Sequence, residues 1–263
     1  MPQAKVFSFA STDDVSHALD KFLEDASRES IARSGKFTIA FSGGSLPATA
    51  SKYLQHNTKI DFTRWHVFFA DERCVKHNDA DSNFKLVKDE LLDKLASDGK
   101  IPANQVHSIS ESLVNDSEKA ASDYQQKIAQ VFAVIGDDNS QSTVLPEFDC
   151  ILLGIGPDGH TCSLFPGFPQ LDEKVKWVTH IDNSPKPPPS RITLTLPVVN
   201  NARKVAFVVT GAGKRTTIRD IVDKRDLSLP AARVAMSVDP VYWFVDDAAA
   251  QDLDVVKPSE FKL

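Results

Sequence analysis

Short apolar runs alternate along this chain with longer amphipathic segments, and this alternation constrains the fold more than any other feature. Runs at 37–42, 65–71, 148–156, 177–182, 191–196, 204–211 and 241–246 are rich in Val, Ile and Phe and apolar almost throughout. Near-continuous apolarity over such short lengths suits strands buried on both faces, which are largely parallel. Helical segments are expected at 12–33, 47–55, 82–95, 116–132 and 214–224. Strands alternating with helices give βαβ units and an open sheet covered on both faces, so the expected class is α/β. No internal repeat is visible. Two stretches read as loops by composition: the polar 136–147 and the four-proline 183–190. Neither is long enough for a flexible interdomain linker. One domain over 1–263 with insertions is expected, with flexible ends at 1–9 and 250–263.

Composition narrows the function. At 263 residues and 41% hydrophobic, the chain can bury a sizeable core, and 25% charged residues fit an ordinary globular protein. A net charge of −6 argues against broad electrostatic binding to nucleic acid or an anionic membrane. It leaves room for a small anionic substrate, because a few local cations outweigh a diffuse negative charge. Cys74, Cys150 and Cys162 form no C-x-x-C pair and are odd in number, which fits a reducing compartment. No signal-like stretch follows Met1, and no run approaches membrane-spanning length. A cytoplasmic protein with neither a nucleic-acid nor a membrane partner is expected.

Three loops could hold chemistry. The first, Ser42-Gly43-Gly44-Ser45-Leu46-Pro47, follows a strand. Proline suits a helix's first turn and serine its cap, and free amides at such a start form an anion site. Taken alone, a tight strand-to-helix turn is the slightly preferred reading. The second, Asp71-Glu72-Arg73, ends an apolar run, and ligands of open α/β sheets bind beyond strand carboxyl ends. Its plainer reading is a solvated charged turn. The third, Gly154-Ile155-Gly156-Pro157-Asp158-Gly159-His160-Thr161, spells G-x-G-x-x-G. Pro157 and Asp158 fall where a pyrophosphate would lie, and no helix pattern follows, so a dinucleotide site is disfavoured.

What remains is a glycine-rich loop presenting Asp158 and His160. Histidine titrates near neutrality and is the commonest general base. His17, His56, His66, His77, His107 and His180 read as structural or exposed. No H-x-x-x-H or cysteine pair joins Asp158 and His160, so no metal is expected. Arg191 begins a strand, and Lys214 lies in a strand-end turn where it could hold a phosphate as a point charge.

Each loop alone is a weak signal, but their order is specific. Ser-Gly-Gly-Ser, Asp-Glu-Arg with Asp81-Ser82-Asn83, Gly-Pro-Asp-Gly-His-Thr with Ser163-Leu164-Phe165-Pro166-Gly167, Arg191-Ile-Thr-Leu-Thr and a Gly-Lys turn together resemble the 6-phosphogluconolactonase family from about Ala10 to Asp247. The resemblance implies a Rossmann-like, mostly parallel sheet flanked by helices, with a smaller added subdomain. It implies hydrolysis of 6-phospho-D-glucono-1,5-lactone to 6-phosphogluconate in the oxidative pentose phosphate pathway, without a cofactor. It makes His160 the base and later the proton donor, with Asp158 orienting it or binding sugar hydroxyls. Arg73 would stabilise the oxyanion or fix the substrate, and Asp71 would lie beside the sugar. Gly43, Gly44, Ser45, Arg191 and Lys214 would form the phosphate end, with Ser42, Gly156 and Gly159 among the substrate-binding residues. Leu46 and Cys162 depart from the threonine and alanine common in relatives. The rival readings are a hexosamine-6-phosphate deaminase or isomerase and a non-catalytic sugar-phosphate-binding regulator on the same fold. The oligomeric state is open.

Overall fold

The computed structural model describes residues 4–132, 144–235 and 240–262. In chain order the strands are β1 (Lys5–Phe9), β2 (Phe37–Phe41), β3 (Trp65–Phe69), β4 (Asp71–Arg73), β5 (Cys150–Leu153), β6 (Val178–Ile181), β7 (Arg191–Leu194), β8 (Val205–Val209) and β9 (Tyr242–Asp246). Six of them pair in parallel in the order β1-β9-β8-β5-β2-β3. The helices are α1 (Thr12–Ser34), α2 (Leu46–Leu54), α3 (Asn83–Val87), α4 (Asp93–Ser97), α5 (Ser117–Phe132), α6 (Leu196–Asn200), α7 (Arg215–Val222) and α8 (Asp247–Ala250). A single π-helical turn, Lys88–Leu92, joins α3 to α4, so the expected helix at 82–95 is continuous but locally widened.

Strand periodicity divides the core into two layers. Phe37, Ile39 and Phe41 of β2 pack with Leu19 and Leu23 of α1 on one face. Ala40 faces the other way, into the layer that holds Phe68, Ile151, and Tyr124 and Ile128 of α5. Local signals set the helix ends. Ser11 Oγ accepts from the Asp14 amide at 3.2 Å to start α1, and Gly35 at φ +75° ends it by donating to Ile31 O at 2.9 Å.

Four expectations need correction. The run 65–71 is not one strand: it leaves the large sheet at Ala70, whose carbonyl accepts from Leu194 N at 2.8 Å. Asp71-Glu72-Arg73 is therefore strand β4, not a turn. The runs near 177–182 and 191–196 do not join the parallel sheet. They form an antiparallel sheet of order β4-β7-β6, because the short 182–190 connection reverses the chain between β6 and β7. Finally, described residues of the end stretches 1–9 and 250–263, expected to be flexible, make specific contacts. β1 pairs with β9, Ser259 N donates to Val6 O at 2.7 Å, and the Phe261 ring lies 4.9 Å from Phe7. Part of the expected loop, 136–143, lies outside the described residues.

Strand order also locates the crevice. From β2 the chain moves outward to β3, whereas β5, β8 and β9 build away on the opposite side. The reversal lies between β2 and β5, and at such a switch point the loops after the two strands part to leave a cleft.

Candidate active site

A cavity of about 350 Å³ opens at this switch point. Ser42, Gly43, Gly44, Ser45, Asp71, Arg73, Gly156, His160, Arg191 and Lys214 line it, so ten of the residues expected from sequence converge there. Asp158 and Gly159 are not among the lining residues. Gly159, at φ +75° and against Leu229, shapes the turn.

The loop after β2 lines the cavity with one polar group left unbonded among the described residues. Ser42 is buried, and its hydroxyl has no partner among the described residues. A buried hydroxyl without a hydrogen bond is costly, which marks it as a group awaiting a partner. Gly44 turns the chain at φ +72° into α2, whose cap residue Ser45 makes no side-chain cap bond. Gly43 is required by close approach: a Cβ there would lie 1.9 Å from Asn83 Oδ1.

β4 shows why the strand assignment matters. Alternation turns Asp71 and Arg73 toward the cavity and Glu72 away from it. The Glu72 carboxylate instead accepts from the amides of Arg73, Asn83 and Phe84 at 2.8, 2.7 and 2.7 Å and caps α3. Burial raises its pKa to about 7 against those bonds. Asp71 is held at both oxygens, by Ser163 Oγ at 2.7 Å and Asn83 Nδ2 at 3.3 Å. Arg73 donates from Nη1 to Asp81 O at 2.6 Å, while its buried Nε has no partner among the described residues.

The turn after β5 carries the histidine. Gly156 N donates to His160 O at 2.9 Å and Gly159 N to Gly156 O at 3.1 Å, closing the loop tightly. His160 Nδ1 lies 2.5 Å from Asp158 Oδ1. A carboxylate is an acceptor, so Nδ1 carries the proton and Nε2 keeps its lone pair. The contact fits the orienting role, one of the two that the sequence left open for Asp158. A Cβ on Gly156 would lie 2.0 Å from His160 Nδ1 and 2.4 Å from Asp158 Oδ1, so glycine is what lets the pair form. Burial disfavours the imidazolium and outweighs Asp158, pulling the His160 pKa below its ordinary value. Burial works against the Asp158 carboxylate too, but the bonds from His160 and Lys186 hold it below the usual range.

Lys186 was missed by sequence reading. It lines the cavity, with Nζ 3.2 Å from Asp158 Oδ1 and 3.3 Å from His160 Nδ1. The only sequence signal was the density of prolines around it. Arg191 lines the cavity, and Nε and Nη2 of its guanidinium are engaged by backbone carbonyls. Its Nε donates to Pro188 O at 2.9 Å and its Nη2 to Lys186 O and Pro187 O, each at 2.9 Å. Lys214 donates to Ile155 O at 2.9 Å, and burial, then Lys186, lowers its pKa.

The other histidines lie apart from this cluster. His66 Nδ1 and His107 Nε2 lie 3.1 Å apart, and burial lowers the His107 pKa to about 4. Among the described residues no group of three or more His, Cys, Asp or Glu could hold a metal ion.

The sequence matches the family described as glucosamine-6-phosphate isomerases/6-phosphogluconolactonase over residues 10–243. A probable 6-phosphogluconolactonase of Schizosaccharomyces pombe is 42% identical over 95% of this chain and 96% of its own length. A 6-phosphogluconolactonase of Rattus norvegicus is 44% identical over 84% of this chain and 82% of its own. The solved 6-phosphogluconolactonase of Trypanosoma cruzi superposes with a TM-score of 0.81 at 27% identity, covering 95% of this chain and 97% of that one. The match over most of the chain, with the motif loops gathered at one cavity, makes this protein a member of the glucosamine-6-phosphate isomerase/6-phosphogluconolactonase family.

Proposed function

We propose that this protein hydrolyses 6-phospho-D-glucono-1,5-lactone to 6-phospho-D-gluconate in the oxidative pentose phosphate pathway. The observation that carries the reading is one cavity lined by a carboxylate-oriented histidine together with Ser42 and Arg73, whose buried Oγ and Nε have no partner among the described residues. The activity named for the fission-yeast and rat relatives supports the lactonase over the deaminase branch.

Ester hydrolysis needs an activated water, a stabilised oxyanion and a proton for the leaving oxygen. His160 Nε2 takes a proton from water as the resulting hydroxide attacks C1 of the lactone. The imidazolium shares its Nδ1 proton with Asp158. The Arg73 guanidinium donates to the developing oxyanion, an interaction for which one donor is worth roughly 3 kcal/mol. When the C1–O5 bond breaks, His160 returns the proton to O5, and the base is restored. Asp71, fixed by Ser163 and Asn83, faces the sugar. The Ser42–Ser45 loop and Lys214 receive the phosphate, whose charge suits free amides at a helix start and an ammonium. Water and proton transfer suffice for this reaction, so it calls for no redox cofactor.

The domain acts as one unit, and its compartment is the cytosol. Cys74, Cys150 and Cys162 are free thiols, as a reducing compartment would keep them. No helix among the described residues is long and apolar enough to cross a membrane.

The test is proton release from freshly made 6-phosphogluconolactone, corrected for spontaneous opening, beside ammonia release from glucosamine 6-phosphate. Lactone opening should dominate. Ammonia release without lactone opening would overturn the assignment, and binding without either activity would favour a regulator.

A further inference from the structure

Lys186 is a cation that neither the motif loops nor the reaction scheme accounts for. It sits on a strap, 183–190, whose backbone is pinned at many points. Ser184 N donates to Pro189 O at 3.0 Å, and Ser184 Oγ donates to Lys186 O at 2.9 Å while accepting from Lys186 N at 3.3 Å. Arg191 adds bonds to the carbonyls of Lys186, Pro187 and Pro188, and its guanidinium is buried over the Phe165 ring. Burying a guanidinium is expensive unless its donors are used. Here Nε and Nη2 fix three successive carbonyls, beginning with that of Lys186, while Nη1 donates to Ser163 Oγ at 3.4 Å.

The strap brings the ammonium to one atom. Lys186 Nζ and His160 Nδ1 both reach Asp158 Oδ1, at 3.2 and 2.5 Å. Between Nζ and Nδ1, 3.3 Å apart, no proton can be shared while both nitrogens carry hydrogens. The contact is therefore a competition for one carboxylate oxygen, together with direct repulsion of any charge on the ring.

We propose that Lys186, held by the Arg191 strap, tunes His160 by destabilising its imidazolium, and that Arg191 is a positioning residue for Lys186 and not a phosphate ligand. This deepens the hydrolase reading and rests on it. The groups facing His160 are Asp158 from its own turn, Lys186 from the strap and Asp71 from β4, with the uncharged Phe165 ring 4.7 Å away. Asp158 and Asp71 favour the charged ring, and Lys186 opposes them. The device has a use in each half of the reaction. It keeps His160 free of a proton at neutral pH, and after water is deprotonated it makes the imidazolium a stronger acid toward the leaving oxygen.

The test pairs two independent readouts on the full chain. The first follows the His160 ring resonance by NMR titration, assigned among the seven histidines by its loss in His160→Asn. The second is the pH profile of kcat/KM on 6-phosphogluconolactone. In Lys186→Met, which keeps the stem and removes the charge, both the resonance midpoint and the acid limb should move up by about one pH unit. Activity should fall below that limb and recover above it. Arg191→Lys, which keeps a charge but loses the fork, should move both in the same direction by less. A Lys186→Met loss that is equal at every pH with an unmoved midpoint would overturn the proposal and make Lys186 a substrate contact. An unmoved midpoint in Arg191→Lys with a raised KM would return Arg191 to the phosphate end. Should Lys186→Met fold poorly, Lys186→Gln serves the same comparison. Absence of lactone hydrolysis in the wild type would sink the proposed activity, while the NMR titration would still judge the tuning.

Discussion

The two loops that frame the switch point begin alike and finish differently. Both follow a buried central strand, and both use glycines where a side chain would collide with a neighbour. After β2, Ser42, in the loop that leads into α2, has a hydroxyl with no partner among the described residues. After β5, the polar atoms of Asp158 and His160 are bonded to each other and approached by Lys186. An end with unused donors is suited to receive an anion. An end whose groups are mutually coupled is suited to hold and return a proton, because the coupling sets the pKa before substrate arrives. On the proposed reading the cavity separates binding from proton transfer along its length, and substitutions at the two ends should leave different kinetic traces.

The largest effect belongs to the proton-transfer end. His160→Asn should lower kcat by roughly 10²–10⁴-fold, with the circular dichroism spectrum retained. In the wild type the limb that requires a deprotonated group should lie below the ordinary histidine value of about 6.5, because burial outweighs Asp158 there. That limb should vanish in the variant. Near-wild-type kcat would move the base elsewhere, with Asp71 next in line.

Lys214→Ala tests the other end. Losing a charge-assisted bond should raise KM for the phosphorylated lactone roughly ten- to a hundredfold, with little change on plain gluconolactone. Equal losses on both substrates would mean that the two ends are not separate. Gly43→Ala comes next. Its new methyl meets Asn83, which is buried and already bonded to Asp71, so it cannot withdraw. A thermal melt should report about 1–3 kcal/mol of lost stability, and kcat and KM should worsen together because the loop and Asp71 share Asn83. An unchanged melt would show that the loop shifts freely. Ser42→Ala is the mildest. One neutral hydrogen bond to the ligand is worth roughly two- to tenfold in KM, and stability should hold or rise, since the hydroxyl has no partner among the described residues. A stability loss would show that Ser42 serves the fold and not the ligand.

The large sheet and the Gly154–Thr161 turn were legible in the sequence because their causes are local. A strand buried on both faces must be largely apolar, as β8 is throughout and β2 is except for Thr38, whose hydroxyl donates to Asp149. The Asp158–His160 pair spans two residues of one turn, and Gly156 marks the approach in the sequence itself. The small sheet was not legible, since the run 65–71 shows no break in apolarity at Ala70, where the chain changes sheets.

What the sequence determined by itself was the α/β alternation, the order of the motif loops and the identity of the histidine turn. Tertiary structure alone decided that Glu72 faces away while its neighbours face in, that Arg191 grips a strap, and that Lys186 reaches His160. Lys186 and His160 are 26 residues apart in sequence and meet because β6 and β7 pair antiparallel and fold the proline segment back over the cavity. No local propensity encodes such a meeting. It depends on pairing between distant segments, and its consequence, a shifted proton affinity, exists only once burial and charge are set together.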